Sequence, residues 1–157
     1  MKKKSMKREE TIDFNIKASW HAIYRMYNQE AIKYEFTITM AFVLLNIDRE
    51  NGTPAMKIAP LMGMEARSLT RVLKSMEKKG LICRKKHEND GRSVRIFLTT
   101  LGNEKQLIAK EKVKIFNAVI RDSIPEEKIT NMIETLTEIN KLIEQNNIFE
   151  YVIANQR

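Results

Sequence analysis

The stretch MEARSLTRVLKSMEKK, residues 64–79, has two opposed faces when wound as an α-helix. At about 100° per residue, Leu69, Val72, Leu73 and Met76 gather on one side, while Arg67, Arg71, Lys74 and Lys78 gather on the other. Such a helix packs by one face and offers cations from the opposite one. Two runs suited to strands follow, residues 81–86 and 93–98, joined by the turn-like His87-Glu88-Asn89-Asp90-Gly91-Arg92. A basic helix followed by a basic hairpin points to a reader of duplex DNA.

Moving outward toward the N-terminus, Gly63 suits a tight turn ahead of this helix. Thr53-Pro54 reads as a cap and a first-turn proline, opening a short helix that runs to Leu61. Pro60, near its end, must distort or terminate it. Residues 37–47 form an apolar-rich segment with Thr37 or Thr39 as its cap, stopping before Glu50-Asn51-Gly52. From Glu9 onward, Ile12, Ile16, Trp20, Ile23, Tyr27 and Ala31 recur at threes and fours, the period of one long amphipathic helix. In the other direction, Thr99 or Thr100 can cap a helix carrying Leu107, Ile108, Ile115, Phe116 and Val119 before Pro125 interrupts it. In a final helix, Ile129, Met132, Ile133, Leu136, Ile139 and Ile143 hold the spacing of a packing seam. Phe149, Tyr151 and Val152 in the tail are available to pack on a partner. Helix, short turn, helix, hairpin is the order of a winged helix-turn-helix, so the fold class is mainly α with a small β-hairpin wing.

The 157 residues suffice for one domain, or for one domain with oligomerisation helices added. A formal net charge of +8 favours a polyanionic partner, either nucleic acid or an anionic membrane surface. Within residues 65–95, ten Lys or Arg stand against four Asp or Glu, a local balance of +6 that concentrates the excess in the basic helix and hairpin. The longest apolar run, residues 40–45, is far short of the roughly 20 residues a bilayer requires, so no span is expected. Lys2, Lys3 and Lys4 imitate the start of a secretory signal, but Lys7, Arg8, Glu9 and Glu10 follow where an apolar segment would have to be. A cytoplasmic location is expected, with residues 1–8 disordered and adding loose phosphate contacts. The single cysteine, Cys83, permits no intrachain disulfide. No Gly-rich phosphate loop, nucleophile elbow or His-Glu metal motif occurs, and His21 and His87 lie far apart, so neither enzyme activity, a metal nor a cofactor is expected.

Several local sequences agree with one another. Lys57-Ile58-Ala59-Pro60-Leu61-Met62-Gly63-Met64 suits a first motif helix and turn, and Ser68-Leu69-Thr70-Arg71 the heart of a recognition helix. Lys79-Gly80-Leu81-Ile82-Cys83-Arg84 suits a helix exit and first wing strand, and Asp90-Gly91-Arg92 is followed by Ile96, Leu98 and Thr99 at wing spacing. In this order and spacing, residues 57–99 resemble the MarR family of bacterial transcriptional regulators. The resemblance implies one domain over 1–157, with a DNA-binding lobe over 37–99 and dimerisation helices over 9–34 and 100–147. Two positions depart from the family pattern. Glu65 stands where a capping Ser is common, which implies a looser cap and a carboxylate near phosphate. Pro60 is unusual inside the first motif helix.

Arg is the commonest specific partner of guanine, so Arg67 and Arg71 are candidate base readers, with Ser68 and Thr70 serving base edges or phosphates. Lys74 and Lys78, later on the helix, are expected on phosphates, which fix register without reading sequence. By resemblance, Asp90 orients Arg92 so that the wing tip enters the minor groove. Arg84, Lys85, Lys86 and Arg95 are secondary phosphate candidates. Relatives sense peroxide through a cysteine in the first helix, whereas Cys83 alternates with Arg84 on a strand and reads as structural. Trp20, Tyr24, Tyr27 and Met40 read first as core. In the family, small aromatic or phenolic ligands bind between the dimerisation helices and the DNA-reading lobe, which makes the same four a candidate effector pocket. The expected partners are therefore double-stranded DNA, a second copy of the chain and a small aromatic effector. The rival reading is a winged-helix module whose basic face docks an acidic protein.

Overall fold

Thr37 opens the first buried helix: its hydroxyl accepts the Met40 N–H at 3.2 Å, filling one of the donors that a helix start leaves unpaired. The computed structural model describes the backbone of residues 6–87 and 90–145, with side chains throughout except at residues 86–93. After a 3-10 turn at Arg8–Glu10 come α1 (Ile12–Ile32), α2 (Ile38–Leu45), β1 (Thr53–Pro54), α3 (Ala55–Leu61) and α4 (Ala66–Lys78). Then follow β2 (Ile82–His87), β3 (Asp90–Leu98), α5 (Thr100–Ser123) and α6 (Glu126–Gln145). Of residues 1–8, expected to be disordered, 1–5 lie outside the described residues, whereas Lys7 and Arg8 belong to the 3-10 turn as its N-cap and first residue. Glu88, Asn89 and the tail with Phe149, Tyr151 and Val152 also lie outside the described residues. No helix among the described residues is long and apolar enough to cross a membrane.

Three local expectations need correction. Thr53 does not cap α3, and Pro54 is not inside its first turn. They form β1, antiparallel to β3, with Thr53 opposite Ile96 and Pro54 opposite Arg95. The Thr53 hydroxyl is occupied elsewhere: it accepts from the Asp48 N–H at 2.9 Å and donates to the Asn46 carbonyl at 3.1 Å. A proline on an edge strand leaves no ladder donor unpaired, so the pair suits this position. The wing is thus a three-stranded sheet in the order β1-β3-β2, not a bare hairpin. Finally, His87 and Asp90-Gly91-Arg92 are strand residues with His87 opposite Asp90, because a register irregularity after Lys86 carries the ladder beyond the expected turn.

α3 ends one residue after Pro60, where the Met64 N–H bonds the Ala59 carbonyl at 3.0 Å and the Gly63 N–H that of Pro60 at 3.1 Å. α4 ends in the same way, with Leu81 N–H on Met76 and Gly80 N–H on Glu77, both at 2.9 Å. Thr99 then caps α5 by accepting the Gly102 N–H at 3.0 Å.

The contacts divide the chain into two units, Met1–Lys112 and Val113–Arg157. In the first, one core joins Ala31, Phe36, Val43 and Leu44 to Ile58, Leu69, Leu73, Met76, Ile82 and Ile96. On α1 the expected stripe is split, with Ala31 buried but Ile12, Ile16 and Trp20 exposed. In the second unit Ile129 is buried, while Met132, Ile133, Leu136 and Ile143 of the expected seam are exposed.

Candidate nucleic-acid interface

The two faces of α4 separate as its period requires. Leu69, Leu73 and Met76 are buried in the core. Burying each such side chain is worth about 1.5–3 kcal/mol, which fixes the rotation of the helix about its axis. That rotation leaves Arg67, Ser68, Thr70, Arg71, Lys74 and Lys78 exposed. Among the described residues, none of these four cations enters an ion pair. The face therefore keeps its positive charge for an external anion. The Thr70 hydroxyl donates back to the Ala66 carbonyl at 2.8 Å, so toward a ligand it can act as an acceptor.

Glu65 is the N-cap of α4 and makes no side-chain capping bond. Glu65→Ser supplies a short acceptor for the first-turn N–H groups and removes a negative charge from the basic face. The expected gain is about 0.5–1 kcal/mol, read as a higher thermal midpoint at fixed protein concentration. An unchanged midpoint would mean that the first turn needs no cap.

The wing residues have separate fates. Arg84 pairs with Glu77 at 3.2 Å, joining β2 to the last turn of α4. The Lys85 ammonium lies 4.9 Å from the centre of the Phe97 ring. Arg95 donates through Nε to the Asn51 carbonyl at 2.9 Å and through Nη2 to that of Gly52 at 3.0 Å. The side chains of Lys86, Asp90 and Arg92 lie outside those described. Cys83 is half-buried opposite Phe97. Among the described residues no group of three or more His, Cys, Asp or Glu is placed to hold a metal.

Of the candidate effector residues, Met40 is buried, whereas Trp20 is 48% exposed although its ring stacks on Phe42 at 5.8 Å. Tyr24 meets Trp20 edge to face at 6.1 Å. Burial raises the Tyr27 hydroxyl above the usual phenol range. A pocket of about 370 Å3 between α3 and α4, and an open surface hollow over Arg71, Lys74 and Lys78, are lined by other residues than these four.

The MarR family model matches residues 36–94. The HTH-type transcriptional regulator SarZ of Staphylococcus aureus (strain USA300) is 30% identical over 115 residues, covering 73% of this chain and 76% of its own. The chain belongs to the MarR family. As a member it is a transcriptional regulator and not an enzyme. The fold of this MarR-family chain is similar to that of S. aureus MepR in its DNA complex, with a TM-score of 0.77 at 20% identity over 83% of this chain and 97% of that one. It is also similar to CouR from Rhodococcus jostii RHA1 bound to p-coumaroyl-CoA, with a TM-score of 0.74 at 20% identity over 86% and 95% of the two chains.

Sequence reasoning missed the residues that hold the regulator's lobe in place. Gln106 on α5 is buried and donates through Nε2 to the carbonyls of Leu44 at 2.6 Å and Ile47 at 3.0 Å. Its Oε1 accepts from Arg49 Nε at 2.7 Å. The buried face of α5 is Gly102, Gln106 and Ala109, while Leu107 of the expected stripe is 53% exposed. The helical spacing of 102, 106 and 109 is present in the sequence, but an apolar pattern does not count glycine or glutamine. Before β1, the Asp48 carboxylate accepts the N–H groups of Asn51 at 2.7 Å and Glu50 at 3.0 Å. These bonds, Asn51 first, hold its carboxyl below the usual range. The Lys33 and Lys112 ammonium groups do the same for Glu30 at the end of α1.

Proposed function

We propose that this regulator is a homodimeric, sequence-specific DNA-binding repressor that acts in the cytoplasm. The observation that carries the reading is the rotation of α4, which commits Leu69, Leu73 and Met76 to the core and leaves Arg67, Arg71, Lys74 and Lys78 on the surface. Residues 37–99 are the DNA-binding lobe, and 9–34 with 100–147 supply the dimer helices. Support for a second copy comes from the large apolar side chains left exposed on α1, α5 and α6, among them Ile12, Trp20, Ile115, Val119, Met132 and Ile143. Two copies place their α4 helices in successive major grooves of a pseudo-palindrome, with half-site centres about 10 base pairs apart. Arg67 and Arg71 read bases with Ser68 and Thr70, Lys74 and Lys78 hold phosphates, and on the wing Asp90 orients Arg92 toward the minor groove while Arg84 and Lys86 are secondary phosphate contacts.

The DNA complex of the similarly folded MepR supports this reading. The p-coumaroyl-CoA held by CouR supports a small aromatic effector, with Trp20, Tyr24, Tyr27 and Met40 as its candidate lining. An effector releases DNA only by its difference in affinity for the free and DNA-bound states.

Affinity for genomic duplex fragments, measured across a range of salt, tests the assignment. Arg71→Ala should cost about 1–3 kcal/mol on the preferred site and relax discrimination, while Lys78→Ala should weaken all sequences alike. A steep fall of affinity with salt is expected as counterions compete for phosphate. Weak salt dependence with no preferred site would favour the basic face docking an acidic protein instead.

A further inference from the structure

We propose that Arg95 is a positioning residue, which clamps the 48–52 loop onto β3 and so sets the wing sheet, and is not itself a phosphate contact. The inference rests on the DNA-binding reading and reassigns one of its residues. β1 is only two residues long, and one of them, Pro54, has no N–H to give to the ladder. The seam between β1 and β3 is therefore short of main-chain bonds. Arg95 stands opposite Pro54 and makes up the deficit, because its guanidinium bonds the carbonyls of Asn51 and Gly52 just ahead of β1. A planar fork reaches two carbonyls at once, and an ammonium does not reproduce that geometry.

Three further observations converge on the same seam. Gly52 has φ +62, and a Cβ there would lie 2.7 Å from the Ile96 carbonyl and 2.8 Å from the Phe97 ring, so the loop sits directly on β3. Asp48 closes the loop from within through the Glu50 and Asn51 N–H groups. Arg49, in the same loop, bonds Gln106 and the Asn103 carbonyl of α5, the latter at 3.2 Å. The loop thus ties the base of the wing to α5, and Arg95 is its bond to the wing side.

The test compares full-length Arg95→Lys, Arg95→Ala and Gly52→Ala with the wild type. The readouts are duplex affinity at several salt concentrations and amide exchange of residues 48–53, at a temperature where melting shows each variant folded. If Arg95 positions the wing, Lys fails to rescue: both Arg95 variants lose about tenfold in affinity with the same salt slope as each other. Gly52→Ala, which moves no charge, loses affinity as they do, and exchange of residues 48–53 accelerates in all three. A phosphate contact gives a different pattern, with Arg95→Lys near wild type and only Arg95→Ala flattening the salt slope by about one; that result overturns the proposal. Wild-type affinity in Gly52→Ala, or unchanged exchange in the Arg95 variants, also overturns it. A wild-type chain that binds no duplex would end the DNA-binding reading, and the exchange data would then still decide whether the clamp exists.

Discussion

Gly102→Ala is expected to lower stability by about 3 kcal/mol, the upper part of the range for overpacking, although the same change in an exposed helix would gain about 1 kcal/mol. The reason is a backbone contact. A Cβ on Gly102 would lie 1.9 Å from the Leu81 carbonyl oxygen and 3.0 Å from its carbon, and no rotamer change can relieve a collision with main chain. Leu81 is also where α4 hands over to β2, and its carbonyl accepts the Thr99 N–H at 3.2 Å. Methylating Gly102 must push the first turn of α5 away from that crossing and loosen both. Gly80→Ala provides the comparison. Gly80 has φ +69 with open space around its Cα, so alanine there meets only the left-handed penalty of about 1 kcal/mol. Thermal melts at equal protein concentration should place Gly102→Ala lowest, some 6–12 °C below the wild type for a chain of this size. A Gly102→Ala variant that melts above Gly80→Ala would show that α5 does not pack against Leu81 as described.

The second large effect belongs to Gln106. Its amide makes three bonds, two donated to the Leu44 and Ile47 carbonyls and one accepted from Arg49. Replacing it with Leu keeps the volume but takes a donor from each carbonyl, of which Leu44 keeps the Ile47 N–H at 3.3 Å, a loss of about 1–3 kcal/mol. Gln106→Glu is the sharper variant, because a carboxylate presents oxygen to both carbonyl oxygens and keeps only the Arg49 bond. Burial and the two carbonyl oxygens favour its neutral form against the pull of Arg49, whose guanidinium is exposed and screened by solvent, so its carboxyl should titrate above the usual range in the folded chain. A raised folded value makes the neutral form's stability present at low pH and lost as pH rises through that value. Gln106→Glu should thus lie closest to the wild type in acid and fall progressively below it toward neutral pH. Gln106→Leu should show no such pH-dependent gap. Parallel pH profiles for the two variants would refute the placement of the amide between these carbonyls.

What could be read in advance follows from the range of the physics involved. The opposed faces of residues 64–79 are a property of neighbours three and four apart, so the rotation of α4 and the exposure of Arg67, Arg71, Lys74 and Lys78 follow from the chain itself. Thr37 and Thr99 as caps are equally local. The two-residue β1 was invisible, because Thr53 and Pro54 become a strand only when Ile96 and Arg95 arrive beside them. The same distance hid Arg95, which looked like one more surface cation until its carbonyl partners, 43 and 44 residues earlier, were in place.

By itself, then, the amino-acid order determined which segments coil, where they stop, and which face of the basic helix turns to solvent, since periodicity and capping act within a turn or two. Only the tertiary structure decided which polar groups are spent inside the protein. A glutamine, a glycine or an arginine has no fixed role until distant backbone carbonyls approach it: the glutamine and the arginine donate to them, and the glycine leaves the room that a Cβ would take from them.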